Sequence, residues 1–91
     1  MSLKLTIPTA LRRITGDAEA VEVHPGTVQE IIAELDRSYS GFLSRVCEDD
    51  GKLRRFINIY VNGEDIRFLE NLATRVPDGA DLSIILAIAG G

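Results

Sequence analysis

The stretch Thr27-Val28-Gln29-Glu30-Ile31-Ile32-Ala33-Glu34-Leu35 carries the strongest helical pattern in the chain. Val28, Ile31, Ile32 and Leu35 recur at the spacing that gathers apolar side chains on one face of an α-helix. Thr27 and Glu30 stand three apart, as in a capping box: the threonine hydroxyl accepts from the Glu30 amide while the glutamate reaches back to the Thr27 amide. Glu30, Glu34, Asp36 and Arg37 lie mostly away from the apolar face. His24-Pro25-Gly26 breaks the chain before the helix, and Gly41 is a stop signal after Tyr39, whose ring is placed to pack near the helix end. One helix of about three turns has a single face to bury, so its neighbours must supply a sheet.

They do so on both sides. Leu3, Leu5 and Ile7 alternate with Lys4 and Thr6 until Pro8 ends the run, and Val21 and Val23 alternate with Glu22. These read as two half-buried strands paired as a hairpin, across a loop over residues 9–17 that turns at Gly16-Asp17. After the helix, Phe42, Leu43 and Val46 fit a short helical turn, and Glu48-Asp49-Asp50-Gly51 is a loop. Phe56-Ile57-Asn58-Ile59-Tyr60-Val61 is strand, closed by the hairpin signal Asn62-Gly63. Residues 65–68 read as a short returning strand, 69–73 as one helical turn, and Pro77-Asp78-Gly79 as a tight turn. Residues 82–89 form a near-continuous apolar run, which predicts a strand buried mid-sheet on both faces.

The expected fold is therefore a two-layer α+β domain: a mixed sheet of four to five strands with one main helix packed on one face. A hairpin, a helix and a second set of strands in that order is the β-grasp arrangement, in which the last strand lies centrally beside the first. Residues 1–87 would form this domain and residues 88–91 a flexible Gly-Gly tail projecting from its stiffest strand.

Composition narrows the function classes. The 91 residues, 45% hydrophobic, suffice for one domain with a packed core. A net charge of −4 argues against nucleic acid or an anionic membrane as the main partner and suits visits to more basic proteins. Cys47 is the only cysteine, which rules out a disulfide framework and points to a reducing, cytoplasmic setting. The amino-terminal residues alternate instead of forming a secretory apolar core, and the apolar run from Ile84 to Ala89 is far shorter than the ~20 residues of a membrane span.

Independent catalysis finds no support. No Ser/His/Asp or Cys/His arrangement is recognisable, and Cys47 reads as a small buried hydrophobe. His24 lacks companions for a metal site and reads as a turn residue, while Asp49-Asp50-Gly51 lacks the ligand spacing of a calcium loop. Lys52, Arg54 and Arg55 form the only basic cluster, read as a solvated loop; the alternative is a salt-sensitive contact to an acidic patch on a partner. If Ile57, Ile59 and Val61 face the helix, then Phe56, Asn58 and Tyr60 face outward, matched on the last strand by Ser83, Ile85 and Ala87. Phe56, Tyr60 and Ile85 would then form an exposed apolar patch at the base of the tail, a candidate docking surface.

The chain resembles the ubiquitin-like sulfur carriers of the MoaD/ThiS family over essentially its whole length. The resemblance lies in Ile7-Pro8-Thr9 with Leu11-Arg12, in Ser38-Tyr39-Ser40-Gly41, and in Gly51-Lys52-Leu53-Arg54-Arg55-Phe56-Ile57-Asn58-Ile59-Tyr60-Val61-Asn62. Asp65-Ile66-Arg67-Phe68 and the ending Ala87-Ile88-Ala89-Gly90-Gly91 complete it. It is most similar to the CysO-like branch, which supplies sulfur to an O-phosphoserine-dependent cysteine synthase.

The resemblance implies that an E1-like enzyme uses ATP to adenylate the Gly91 carboxylate, and that a sulfur donor then displaces AMP to leave a thiocarboxylate. Ile88, Ala89, Gly90 and Gly91 would enter the partners' active sites. The acceptor would be an aminoacrylate on a pyridoxal-phosphate enzyme, and a metal-dependent, JAMM-type peptidase would release the cysteine. ATP, pyridoxal phosphate and metal would belong to those partners, and the carrier, a monomer, would bind no cofactor itself. Alternatives are the small subunit of molybdopterin synthase, a thiazole sulfur carrier, a ubiquitin-like modifier joined to lysines through Gly91, or a binding module with no covalent role.

Overall fold

The computed structural model describes residues 2–86. β1 (Leu3–Thr6) and β2 (Ala20–Val23) form the expected hairpin, with Leu3 opposite Val23 and Thr6 opposite Ala20. Between them Thr9–Leu11 makes a short 3₁₀ turn inside the predicted loop, which carries Leu11 into the core.

The helix α1 (Val28–Ser38) buries Val28, Ile31, Ile32 and Leu35. Its capping box closes as the sequence requires. The Glu30 amide donates to Thr27 Oγ1 at 3.1 Å, and the Thr27 amide donates to Glu30 Oε1 at 2.8 Å. Hydrogen bonding from Thr27, its backbone amide first and its side chain second, holds the Glu30 carboxyl below the usual carboxylate range by favouring the charged form. Such a cap contributes about 1 kcal/mol. The helix ends at Ser38, with Tyr39 extended and partly buried against the core. Gly41, at φ 95°, opens the next helix instead of closing this one. Asp36 Oδ1 accepts from the Gly41 amide at 3.2 Å and the Leu43 amide at 3.0 Å, which fixes α2 (Phe42–Val46) against α1.

β4 (Ile57–Val61) turns through Asn62 and Gly63, both at positive φ, into β5 (Glu64–Asp65). The returning strand is shorter than residues 65–68, because the chain leaves it at once for a 3₁₀ turn over Ile66–Phe68. The Asp65 carboxylate explains this: its Oδ1 accepts from the Arg67 amide at 2.9 Å, offering the backbone a local partner in place of a ladder. Ile66, fully buried, anchors the turn. A second 3₁₀ turn, Asn71–Ala73, lies within the predicted helical turn. Gly26–Thr27 (β3) pairs with Arg75–Val76 (β6) in a two-stranded ribbon, where the sequence predicts only a break at His24-Pro25-Gly26.

β7 (Asp81–Leu86) completes a five-stranded sheet of order β2-β1-β7-β4-β5, parallel to β1 and antiparallel to β4. This is the β-grasp topology, with the last strand central. The core lies between α1 and one face of the sheet, where Leu5, Val23, Ile57, Ile59, Leu82 and Ile84 are buried. β7 is not buried on both faces as its apolar run suggested. Ile85 is 47% exposed and Ser83 half-buried, because the helical layer covers only the other side.

Candidate functional site

The site begins where β7 ends. Hydrogen bonding to β1 on one side and β4 on the other fixes the strand's direction, with Leu86 opposite Ile57 and Ile85 opposite Asn58. Ala87, Ile88, Ala89, Gly90 and Gly91 lie outside the described residues. Directly paired residues share a face, so Thr6, Ser83 and Tyr60 stand in one row and Asn58 and Ile85 in the next, all on the side away from α1. At the sheet's edge the Arg67 guanidinium donates to Asn58 Oδ1 at 2.6 Å and to the Arg54 carbonyl at 2.9 Å. No spacing in the sequence announces this clamp.

The three candidate docking residues fall in two places. Ile85 and half-buried Tyr60 share the open face. Phe56, 45% exposed, lies in the turn before β4 and not in the strand, at a concavity it shares with Ala10, Leu11, Arg45 and Leu86. A second concavity, around Thr6, Pro8 and Ile85, also reaches Leu86. The last described residue of the strand therefore borders both.

Arg54 is no solvated loop residue. Its Nε and Nη2 donate to the Ser44 carbonyl at 3.2 and 3.0 Å, and its amide donates to the Val46 carbonyl at 2.9 Å, bracing α2. Cys47 is 5% exposed, and burial pushes its thiol pKa up despite a smaller opposing pull from Arg54. A protonated, covered thiol is a poor nucleophile, in keeping with its expected packing role. His24 stands on the surface with Nδ1 2.9 Å from Glu34 Oε2. Among the described residues, no three His, Cys, Asp or Glu side chains group as metal ligands, and no helix is long and apolar enough to cross a membrane.

What this arrangement offers is a strand held by hydrogen bonds on both sides and an open face beside it on which Ile85 is exposed among Thr6, Asn58, Tyr60 and Ser83. Residues 5–91 match the model of the ThiS family. The chain is 43% identical to the sulfur carrier protein CysO of Mycobacterium tuberculosis, covering 100% of both chains. The crystal structure of Mycobacterium tuberculosis CysO matches at TM-score 0.89 and 41% identity, over 94% of this chain and 99% of that one. The crystal structure of the Amycolatopsis orientalis BexX/CysO complex matches at TM-score 0.90 and 44% identity, over 98% of this chain and 99% of that one.

Proposed function

The chain belongs to the ThiS family, and from that we propose that it is a sulfur carrier whose Gly91 carboxylate is adenylated and then converted to a thiocarboxylate. The observation that carries the reading is the full-length identity with the carrier CysO, joined to a central β7 that leads directly into the tail.

The chemistry follows from what a carboxylate lacks. It is a poor electrophile, because oxide is a poor leaving group. Attack of its oxygen on the α-phosphate of ATP releases pyrophosphate and forms a mixed anhydride with AMP. A sulfur donor then displaces AMP, and the new C–S bond leaves the thiocarboxylate. Gly90 and Gly91 have no Cβ to meet the walls of a narrow channel, and Ala89 is the next smallest residue. The activating enzyme is of the E1-like type and holds the ATP. The sulfur goes to an aminoacrylate on a pyridoxal-phosphate cysteine synthase, and a metal-dependent peptidase of the JAMM type frees the cysteine. The carrier works as a monomer in the cytoplasm.

Incubation with ATP, sulfide and the organism's E1-like enzyme is expected to exchange one oxygen for sulfur at Gly91, read by intact-mass spectrometry with fragmentation. No thiocarboxylate with any cognate activating enzyme overturns the reading. An isopeptide-linked product on lysines instead assigns the chain to the protein modifiers.

Tyr60, Ile85 and Phe56 are the docking surface in this proposal, supported by the exposure of Ile85 and Phe56 beside Leu86. Tyr60→Ala is expected to lower kcat/KM for adenylation by ~10-fold, as loss of an interface aromatic typically does. An unchanged rate in a folded variant removes Tyr60 from the surface.

A further inference from the structure

The end of the sheet where the tail begins differs in charge from the rest of the molecule. The chain has 14 Asp and Glu against 10 Lys and Arg, yet among the described residues the two concavities that meet at Leu86 are lined by Arg12, Arg45 and Arg54 and by no Asp or Glu. Arg55 adjoins them in the turn before β4. These residues come from separate parts of the fold: the segment after β1, α2, and the approach to β4. None of them forms an ion pair among the described residues, although Asp17 stands near Arg12, its amide donating to the Arg12 carbonyl at 2.6 Å. Among the described residues the ion pair that forms is His24 with Glu34, so neither arginine nor lysine contacts an acidic side chain.

Two of these arginines are held in place by neutral partners. Arg12 Nε donates to the Ile7 carbonyl at 3.1 Å, and Arg54 donates twice to the Ser44 carbonyl. Carbonyls fix a guanidinium's position and leave its charge whole. Arg45 is exposed and makes no side-chain hydrogen bond among the described residues. At the other end of β7 the charges are mixed, with Asp78 just before the strand, Asp81 at its first position and Lys4 paired directly across from Asp81. The positive excess is thus local to the two concavities at Leu86. A charge distribution of that kind orients an approaching partner before contact is made.

We infer that Arg12, Arg45 and Arg54 form a basic rim around the origin of the tail, which docks on a protein whose tail channel is edged by Asp and Glu side chains. The inference rests on the carrier reading and names the chemistry of its activating partner. Net charge alone would send this molecule to basic partners; the rim makes the local preference the opposite. A protein surface fits better than a nucleic acid, because three arginines on a chain of net charge −4 give a weak, shallow phosphate-binding footprint.

The test is association kinetics of the full chain with the organism's E1-like enzyme. Salt is varied from about 0.1 M to about 1 M, over which the Debye length falls from about 10 to about 3 Å. Arg45→Glu is expected to slow association by ~10-fold at low salt and to converge with the native chain at high salt. Arg45→Gln should show a smaller effect of the same kind. Arg75→Glu, which makes the same change in net charge on the β3–β6 ribbon, should associate at close to the native rate.

Equal slowing by Arg45→Glu and Arg75→Glu reduces the effect to net charge and overturns the rim. So does an Arg45→Glu rate equal to native in a variant with native circular dichroism, or the absence of any complex. Binding of a single-stranded oligonucleotide as tight as that of the enzyme overturns the choice of partner. Thiocarboxylation is scored separately by mass, so a chain that associates with the expected salt dependence but gains no sulfur fails the carrier reading and leaves the rim standing.

Discussion

Deletion of Gly91 is expected to abolish thiocarboxylate formation, and Gly90→Val to reduce it by ~10²-fold or more, with the melting temperature unchanged in both variants. The deletion draws the carboxylate back by one residue, about 3.5 Å, which is more than an in-line attack on a bound phosphate tolerates. In the proposed reaction valine adds a branched Cβ where a narrow channel would admit bare backbone, and it stiffens the segment that would thread. Neither change touches the core, whose described side chains run from Leu3 to Ile84. The same variants should still associate with the activating enzyme at near-native rate, because association is attributed to the folded surface. Intact-mass analysis of the thiocarboxylate, paired with the association rate, separates the two roles. A Gly91 deletion that gains sulfur as fast as the full chain would remove Gly91 as the reacting residue.

The parts of the fold that sequence reading recovered are the locally determined ones. Thr27 and Glu30 are three residues apart and satisfy one another, so the start of α1 is written in adjacent letters. The same holds for Asn62-Gly63, where positive φ at both positions is a local requirement. What escaped depends on distant partners. Gly26–Thr27 becomes a strand only because Arg75–Val76 arrives beside it. Residues 65–68 have strand-like composition, but one carboxylate on Asp65 redirects the backbone. The β7 run hid its alternation, since Ile85 is as apolar as its buried neighbours Leu82 and Ile84.

The candidate site divides in the same way. Its Gly-Gly tail is a reading of the sequence alone, since residues 87–91 lie outside those described. Arg45 and Arg54, by contrast, have no sequence relation to Arg12 and are assembled by tertiary packing. Composition could not reveal a basic end on an acidic chain, because it averages over the surface.

Phe42→Ala is expected to cost about 3–5 kcal/mol, a large share of the 5–15 kcal/mol that holds a typical domain together. Phe42 is 0% exposed and among the largest fully buried side chains. It is also the first residue of a five-residue helix, too short to persist without tertiary packing. The loss should appear in urea titration as a lower midpoint at nearly constant slope. Phe42→Leu, which keeps most of the volume, should cost under ~1.5 kcal/mol.

The effect should also reach the site, since α2 supplies the Ser44 and Val46 carbonyls that hold Arg54, and Arg54 in turn supplies the carbonyl that Arg67 grips. Loosening α2 therefore frees Arg45 and Arg54 together and moves the turn that carries Phe56. In conditions where Phe42→Ala remains folded, association with the activating enzyme should slow, while sulfur transfer at saturating enzyme stays near native. A stability loss below ~1 kcal/mol would mean that α2 is not packed as a core element. Unchanged association in a clearly destabilised variant would mean that the arginines are positioned independently of α2.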